Sequence, residues 1–461
     1  MKTLKGKEFL GPVLLISILL FSNFSQTAYI SQPRNHNLEQ QVNLLVEPLI
    51  DSSIAAGAIV GVMRNDSILL IKSYGMADVE LNAPLSQDAS FEIGSTTKQF
   101  TAAAVMQLVE RGLIQLNDPV NKYINFNSKP HQVTIEQLLN HTSGIKPPPR
   151  NEYLSIIRSN YPRDTLLRLL ENGGFNFEPG TAMNYSNMGY FILGQLIEKV
   201  SGKDYETYLE ENILSKAKMT NTYYSDAETV RKERAHGYNN LQNKNILTRA
   251  ELPYYRWTYS AGALSSTVKD LLAWNKALHN SEHIVSKKIY NQFITPGQLK
   301  DGSALRYANG LQILTYKGHR MIGHGGSGSG FLSQICYFPD EKLTIVTMQN
   351  TYRPVSEADL AYAIADKILP AKKDNLPVEP VKDLSIFRGT YKGALEINVE
   401  VAGNQLVIRR LGQKDWDTLT YMGNGRWSLK NDFYSFGIKD GQVKELYWDA
   451  IYAFLPLHKS N

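Results

Sequence analysis

Cysteine is almost absent from this 461-residue chain, the only one being Cys336. No internal disulfide is available, so the fold must rest on its apolar core. Cys336 lies in the apolar run Phe331–Phe338, where a thiol reads as core rather than as a nucleophile. Metal-ligand signatures are sparse as well: the nine histidines include a single His-x-x-x-His pair, His279 and His283, and neither a metal nor any other cofactor is expected. The net charge of +5 is small, and no Lys/Arg cluster has the form of a nucleic-acid footprint, which excludes that partner class. The N-terminal apolar run Phe9–Phe21 contains Gly11 and Pro12 and falls short of the ~20 residues that span a bilayer. There is no tandem repeat. Gly-x-Ser-x-Gly is absent, which removes the nucleophile elbow of α/β-hydrolases. No Gly-Lys-Ser/Thr follows the glycine run, which removes a phosphate loop.

What remains is an ordinary globular composition, 43% hydrophobic and 20% charged, in a chain long enough for two domains. Lys2, Lys5 and Lys7 precede the N-terminal apolar run, and a polar stretch from Ser22 to Ala28 follows it. This layout predicts a secretory signal peptide over 1–28 and a secreted or periplasmic mature protein. An uncleaved membrane anchor is the alternative, and the only route by which a membrane becomes a partner. With no cysteine near this segment, lipid attachment there is excluded.

The periodicity predicts a helix over 38–50, from Leu38, Val42, Leu45 and Leu49, then a β-hairpin from Ala58–Met63 and Ile68–Lys72. Three more strands are expected at Leu311–Thr315, Gly330–Phe338 and Leu343–Met348. Between these groups the pattern is mainly helical, at 95–112, 135–140, 164–171, 188–200 and 268–278, with a closing helix at 357–369. Strands at both ends with helices between them predict an α/β (α+β) domain over 29–370, an antiparallel sheet built from both termini and flanked by helices. Residues 371–384, rich in Lys, Asp, Pro and Val, read as a linker. Short strand-like segments and turns over 385–461 predict a small antiparallel β-barrel or sandwich. The three prolines of Lys146–Arg150 predict a loop. The Tyr- and Asn-rich stretch 221–259 reads equally as a cleft wall or as a surface loop.

Three short motifs carry chemistry. Ser95-Thr96-Thr97-Lys98 opens the apolar-periodic segment of Phe100, Ala103, Ala104, Met106, Leu108 and Val109. A serine in the first turn of a buried helix sits near the positive end of its dipole, and Lys98 three residues on shares its face. A buried lysine has a lowered pKa and can accept a proton from the serine. Ser-x-x-Lys recurs at Ser143, Ser215 and Ser266. Ser143 precedes the proline loop, Ser215 lies in a charged amphipathic stretch and Ser266 adjoins a capping box, so only Ser95 is expected to head a helix apolar enough to be central. Tyr185-Ser186-Asn187 follows a turn-rich lead-in, and in an extended loop Tyr185 and Asn187 would face one cleft. There Tyr185 could relay a proton and Asn187 could donate to a substrate carbonyl. His324-Gly325-Gly326-Ser327 begins a glycine run entering a strand, where the backbone of an edge strand can approach a ligand closely. The Ser95 and Ser327 amides would then form an oxyanion hole. The alternative for each motif is structural: a helix cap, a packed tyrosine, a strand end.

In this order the three motifs resemble those of the serine beta-lactamase and penicillin-binding-protein superfamily, in its class C-like branch of esterases, D-amino-acid peptidases and related hydrolases. Leu138–Ile145, Glu178-Pro179-Gly180 and Ala261–Thr267 resemble further stretches of that family, with His141 in a structural role. The resemblance covers roughly 40–368, and the tail is similar to a lipocalin-like barrel found in some peptidase members. It implies Ser95, Lys98 and Tyr185 as catalytic residues, and Asn187, His324, Gly325 and Gly326 as substrate-binding ones. The substrate would be a small ester, a cell-wall peptide or amide, or a beta-lactam; a non-catalytic receptor that binds such peptides or penicillin is the other outcome. The family's usual Lys-Thr-Gly or Lys-Ser-Gly does not occur, and His324 takes its place. A histidine near its ordinary pKa of ~6.5 would be only a partial cation for a substrate carboxylate at neutral pH. That departure points to ester or peptide chemistry over efficient beta-lactam hydrolysis.

Overall fold

The computed structural model describes residues 36–149, 151–152, 162–226, 228–240, 246–251, 255–352, 356–372 and 381–460. The signal segment 1–28 lies outside them, as do Arg150 of the proline loop, Tyr254 and most of the expected linker.

Helix α1 (His36–Asp51) precedes a hairpin of β1 (Gly57–Arg64) and β2 (Ser67–Asp78), with the short β3 (Ala83–Pro84) beside β2. The other half of the sheet comes from β4 (Gln312–Tyr316), β5 (His319–Gly328), β6 (Phe331–Phe338) and β7 (Leu343–Gln349). The order is β4-β5-β6-β7-β1-β2-β3, antiparallel throughout, and β1 pairs β7 from Ala58↔Gln349 to Arg64↔Leu343. The first and last strands of this region therefore lie side by side, as the sequence pattern predicts.

Alternation along β1 decides the two layers. Ala58, Val60 and Val62 join Met321, Cys336, Phe338 and Ile345 under α1 and α5 (Asp359–Ile368). Ile59 and Met63 face the larger helical layer, with α2 (Lys98–Glu110), α3 (Asn187–Ser201) and α4 (Val268–His279). Each fully buried aliphatic side chain contributes about 1.5–3 kcal/mol. Cys336 sits in the first of these layers, its pKa pushed up to about 12 by burial, so the core reading of this residue stands. In the stretch 221–259, Tyr223 and Tyr224 pair with Leu264–Ser266, while Tyr238 and Tyr259 are buried.

Beyond residue 384 nine strands form an antiparallel barrel: β8 (Gly389–Lys392), β9 (Glu396–Ala402), β10 (Gln405–Arg410), β11 (Asp417–Thr418), β12 (Thr420–Gly423), β13 (Arg426–Leu429), β14 (Asp432–Lys439), β15 (Gln442–Ala450) and β16 (Ala453–Lys459). The continuous segment 417–423 pairs with β10 at one end and β13 at the other, which nearly closes the sheet on itself. Its core is built from Tyr391, Ile397, Leu406, Ile408, Trp427, Tyr434 and Leu446. The barrel is stitched to the helical layer: Met183–Asn184 adds to β16, Arg306 Nε donates to Asp449 Oδ1 at 2.7 Å, and the Tyr185 N–H donates to the Tyr452 carbonyl at 3.0 Å.

One expected element is corrected. The glycine run does not lead into a strand at Gly330; it is the second half of a separate strand, β5, and Ser329-Gly330 is the turn into β6. Glycines hide a strand from propensity and alternation, and here pairing with β6 from Ile322↔Tyr337 to Gly328↔Phe331 imposes it. On its other side β4 pairs only residues 319–323, so the edge of β5 beyond Gly323 has no strand partner among the described residues.

Candidate active site

Ser95 stands in a 3₁₀ turn, Gly94–Thr97, which continues directly into α2 at Lys98. The sequence predicted one α-helix from Ser95. The tighter turn serves the pair better, because residues three apart eclipse in a 3₁₀ helix. Lys98 Nζ lies within hydrogen-bond distance of Ser95 Oγ, at 3.1 Å, and donates to Asn187 Oδ1 at 2.8 Å and to the Ala261 carbonyl at 2.7 Å. Ser95 is half-buried, while the Lys98 side chain is 0% exposed. Burial holds the Lys98 pKa well below the usual lysine range, and no carboxylate among the described residues pairs with it.

Tyr185 ends the lead-in, Ser186 caps α3 by accepting from the Gly189 N–H at 3.3 Å, and Asn187 is the first residue of that helix. Tyr185 and Asn187 thus meet at Lys98 across a helix start, where the sequence predicted an extended loop. The Lys98 Nζ lies 4.8 Å from the Tyr185 ring centre. The Tyr185 hydroxyl is buried without a partner in hydrogen-bond geometry, although Ser95 is near enough to favour its ionised form. Burial dominates and drives its pKa well above the usual tyrosine value. Asn187 is exposed; with its oxygen on Lys98, its amide N–H₂ points to no protein partner among the described residues and is available to a substrate.

β5 passes closely over the serine turn. A β-carbon at Gly326 would lie 1.9 Å from the Ile93 carbonyl oxygen and 2.9 Å from the Thr96 nitrogen, so only glycine permits this approach. The exposed Ser327 brings its amide nitrogen against Gly94, next to Ser95. The two expected amide donors are therefore neighbours in space.

His324 departs from expectation. Its side chain is 0% exposed, with Nε2 2.9 Å from the Tyr307 hydroxyl and Nδ1 2.5 Å from the Gly325 carbonyl. A carbonyl only accepts, so Nδ1 carries the proton and Nε2 accepts from Tyr307. Burial, with Lys98 nearby, pushes the His324 pKa down to about 3. The imidazole is neutral across the physiological range and is not the partial cation that residue type alone suggests. It faces Tyr307 and Tyr185 beneath the strand, and its contribution to a substrate passes through the position of β5.

Several residues of the site escaped sequence reasoning. Ala261 supplies the carbonyl that fixes Lys98. Tyr307 orients His324. His141, which the resemblance did give a structural role, stacks 4.3 Å from the Tyr185 ring and accepts from the Ser186 N–H through Nδ1 at 3.1 Å. From the barrel, Tyr452 packs edge-to-face on Tyr185 at 5.0 Å and donates to Glu357 Oε1 at 3.1 Å. Nothing short of the fold joins Tyr452 or Glu357 to Ser95. Beside Tyr185 and Asn187 a cavity of about 420 Å³ is lined by Ile145, Pro147, Pro148, Phe177 and Met188.

A serine–lysine pair lodged between an antiparallel sheet and a helical layer, with a glycine strand drawn across it, is the arrangement of the beta-lactamase and transpeptidase-like fold. Residues 42–368 match the family described as Beta-lactamase, and the chain belongs to that family. It is 28% identical over 321 residues to Protein flp of Staphylococcus aureus (strain MRSA252), covering 68% of this chain and 63% of that relative's length. Penicillin-binding protein 4* of Bacillus subtilis (strain 168) is 27% identical over 365 residues, 75% of this chain and 79% of that protein. Among solved structures, the octameric penicillin-binding protein homologue from Pyrococcus abyssi superposes with a TM-score of 0.64 at 26% identity, covering 91% of this chain and 99% of its own.

Proposed function

We propose that this protein is an exported serine hydrolase that works through an acyl-enzyme on ester or peptide/amide substrates. The observation that carries the reading is the Lys98 amine, buried without a carboxylate and 3.1 Å from Ser95 Oγ. A neutral amine has two N–H bonds and one lone pair. Asn187 Oδ1 and the Ala261 carbonyl take the two N–H bonds, which leaves the lone pair for the Ser95 hydroxyl proton.

Ser95 Oγ attacks the substrate carbonyl as its proton passes to Lys98, and the Ser95 and Ser327 amides hold the oxyanion. Tyr185, beside both Lys98 and Ser95, delivers the proton to the leaving group as the tetrahedral intermediate collapses to the acyl-enzyme. Water then attacks the ester, its proton returns through the same groups, and Ser95 is released. The Asn187 amide steadies the acyl half, and the cavity lined by Pro147, Phe177 and Met188 receives its apolar part. The neutral His324 offers no charge to a substrate carboxylate, which supports esters and amides over beta-lactams.

The test is a hydrolysis panel of a p-nitrophenyl ester, a D-amino-acid amide and a chromogenic cephalosporin, on wild type and Ser95→Ala. Ser95-dependent turnover of the ester or amide, in excess of enzyme, is the expected result. Acylation without turnover would make the protein a receptor, and activity surviving in Ser95→Ala would remove the assignment.

A further inference from the structure

An anion lies against the glycine strand, among residues that do not line the apolar cavity. Glu357 lies just before α5 and rests on the glycine strand: a β-carbon at Gly325 would sit 2.5 Å from Glu357 Cγ and 3.3 Å from its Oε1. Gly325 is two residues from Ser327, on the stretch of β5 that β4 leaves uncovered. The carboxylate is half-buried, accepts one hydrogen bond, from the Tyr452 hydroxyl, and has no ion-pair partner among the described residues. The Tyr452 ring stands between it and the chemistry, 5.0 Å from the Tyr185 ring and 6.5 Å from that of His324. Glu357 is also near enough to disfavour ionisation of both tyrosines.

Among the described residues no cation pairs with this carboxylate. Lys98 and His324 are both buried, with pKa values lowered by that burial, and Asp359 follows two residues along. A carboxylate beside two tyrosine rings is the chemistry that binds an ammonium group, by direct attraction and through the negative faces of the rings. It is hostile to a second carboxylate.

We propose that Glu357, held by Tyr452 of the barrel turn, selects substrates whose leaving group carries an ammonium charge and rejects those carrying a carboxylate. This rests on the acyl-transfer reading of Ser95 and adds the substrate class to it. The acyl half occupies the cavity beside Asn187, and the leaving group departs past Tyr185 toward Tyr452 and Gly325. The barrel acquires a role in specificity, because its β15–β16 turn supplies the residue that orients the carboxylate. Glu357 could otherwise serve only as a charge at the N-terminus of α5, in which case its removal would affect every substrate alike.

Three butyryl thioesters test this, their thiol halves ending in a trimethylammonium, a tert-butyl or a carboxylate group, with thiol release as the readout. In wild type kcat/KM falls in that order. Glu357→Gln lowers the ammonium-to-tert-butyl ratio about fivefold to tenfold and raises the carboxylate-to-tert-butyl ratio, the range for a partly screened charge pair. Tyr452→Phe, which keeps the ring and frees the carboxylate, moves both ratios the same way by less. Equal losses on all three thioesters, or no wild-type preference for the ammonium one, overturn the charge assignment while Ser95 chemistry stands. Absence of Ser95-dependent cleavage of all three overturns both.

Discussion

Replacing Lys98 with methionine tests the neutral-amine state without relying on catalysis. Methionine nearly matches the buried stem, so the core around α2 stays filled, while the titrating group is lost. Burial lowers the folded pKa of Lys98 below the unfolded value of about 10.4, so between those two values the unfolded chain binds one proton more than the folded one. Stability contributed by this group therefore rises with pH through that window, with a slope of about 1.36 kcal/mol per pH unit. For a lysine already neutral at pH 7, the stability of wild type minus that of Lys98→Met increases by about 2.7 kcal/mol between pH 7 and pH 9. Other titrating groups are common to both proteins and cancel; the neighbouring Tyr185, His141 and His324 are held neutral by burial. The Ala261 carbonyl loses its partner in the variant, a pH-independent cost of about 1–3 kcal/mol. The assay is urea unfolding of both proteins at a series of pH values. A difference that stays flat from pH 7 to pH 9 would mean that Lys98 is charged in the fold, and would remove it as the base.

Tyr185→Phe lowers kcat for a p-nitrophenyl ester by about 10²–10⁴ with little change in melting temperature; a silent substitution would leave Lys98 alone in proton transfer. Gly326→Ala forces β5 away from Ile93 and the serine turn, and should cost on the order of 10² or more in kcat, a loss that steady-state kinetics on folded protein would reveal. His324→Lys puts an ammonium into a site that already holds Lys98 and His141, so it destabilises the protein by about 3–5 kcal/mol in denaturant titrations and brings no gain for carboxylate-bearing substrates. A stable His324→Lys with improved carboxylate turnover would show that the 324 side chain reaches the substrate after all.

The sequence makes this site legible where the chemistry is local. Ser95 and Lys98 are three residues apart at the head of an apolar helix, and the turn geometry brings them together whatever the rest of the chain does. The β1–β2 hairpin and α1, α2, α3 and α4 are likewise readable, because one face of each carries an unbroken apolar period. Tyr185, Asn187 and His324 stand out by their local settings, but their meeting at Ser95 comes from resemblance, since loop and strand conformations over such separations are set by tertiary packing. The neutrality of His324 could not be read at all: residue type supplies an ordinary pKa, and only burial beside Tyr307 moves it. Strand β5 was hidden because Gly323, Gly325, Gly326 and Gly328 erase the side-chain alternation that marks a strand. Tyr452 and Glu357 carry no local signal, as one lies in a barrel turn and the other before a helix. They meet at Gly325 because Met183–Asn184 pairs with β16 and seats that turn against Tyr185.

The central claim is that Ser95 carries the acyl group. Quenching the protein during turnover of a p-nitrophenyl ester, and separately after reaction with a fluorophosphonate, allows the adduct to be measured by intact mass and located by peptide mapping. One adduct per chain on the peptide containing Ser95, absent from Ser95→Ala, is the result this account predicts. An adduct on another residue, or labelling undiminished in Ser95→Ala, would contradict it.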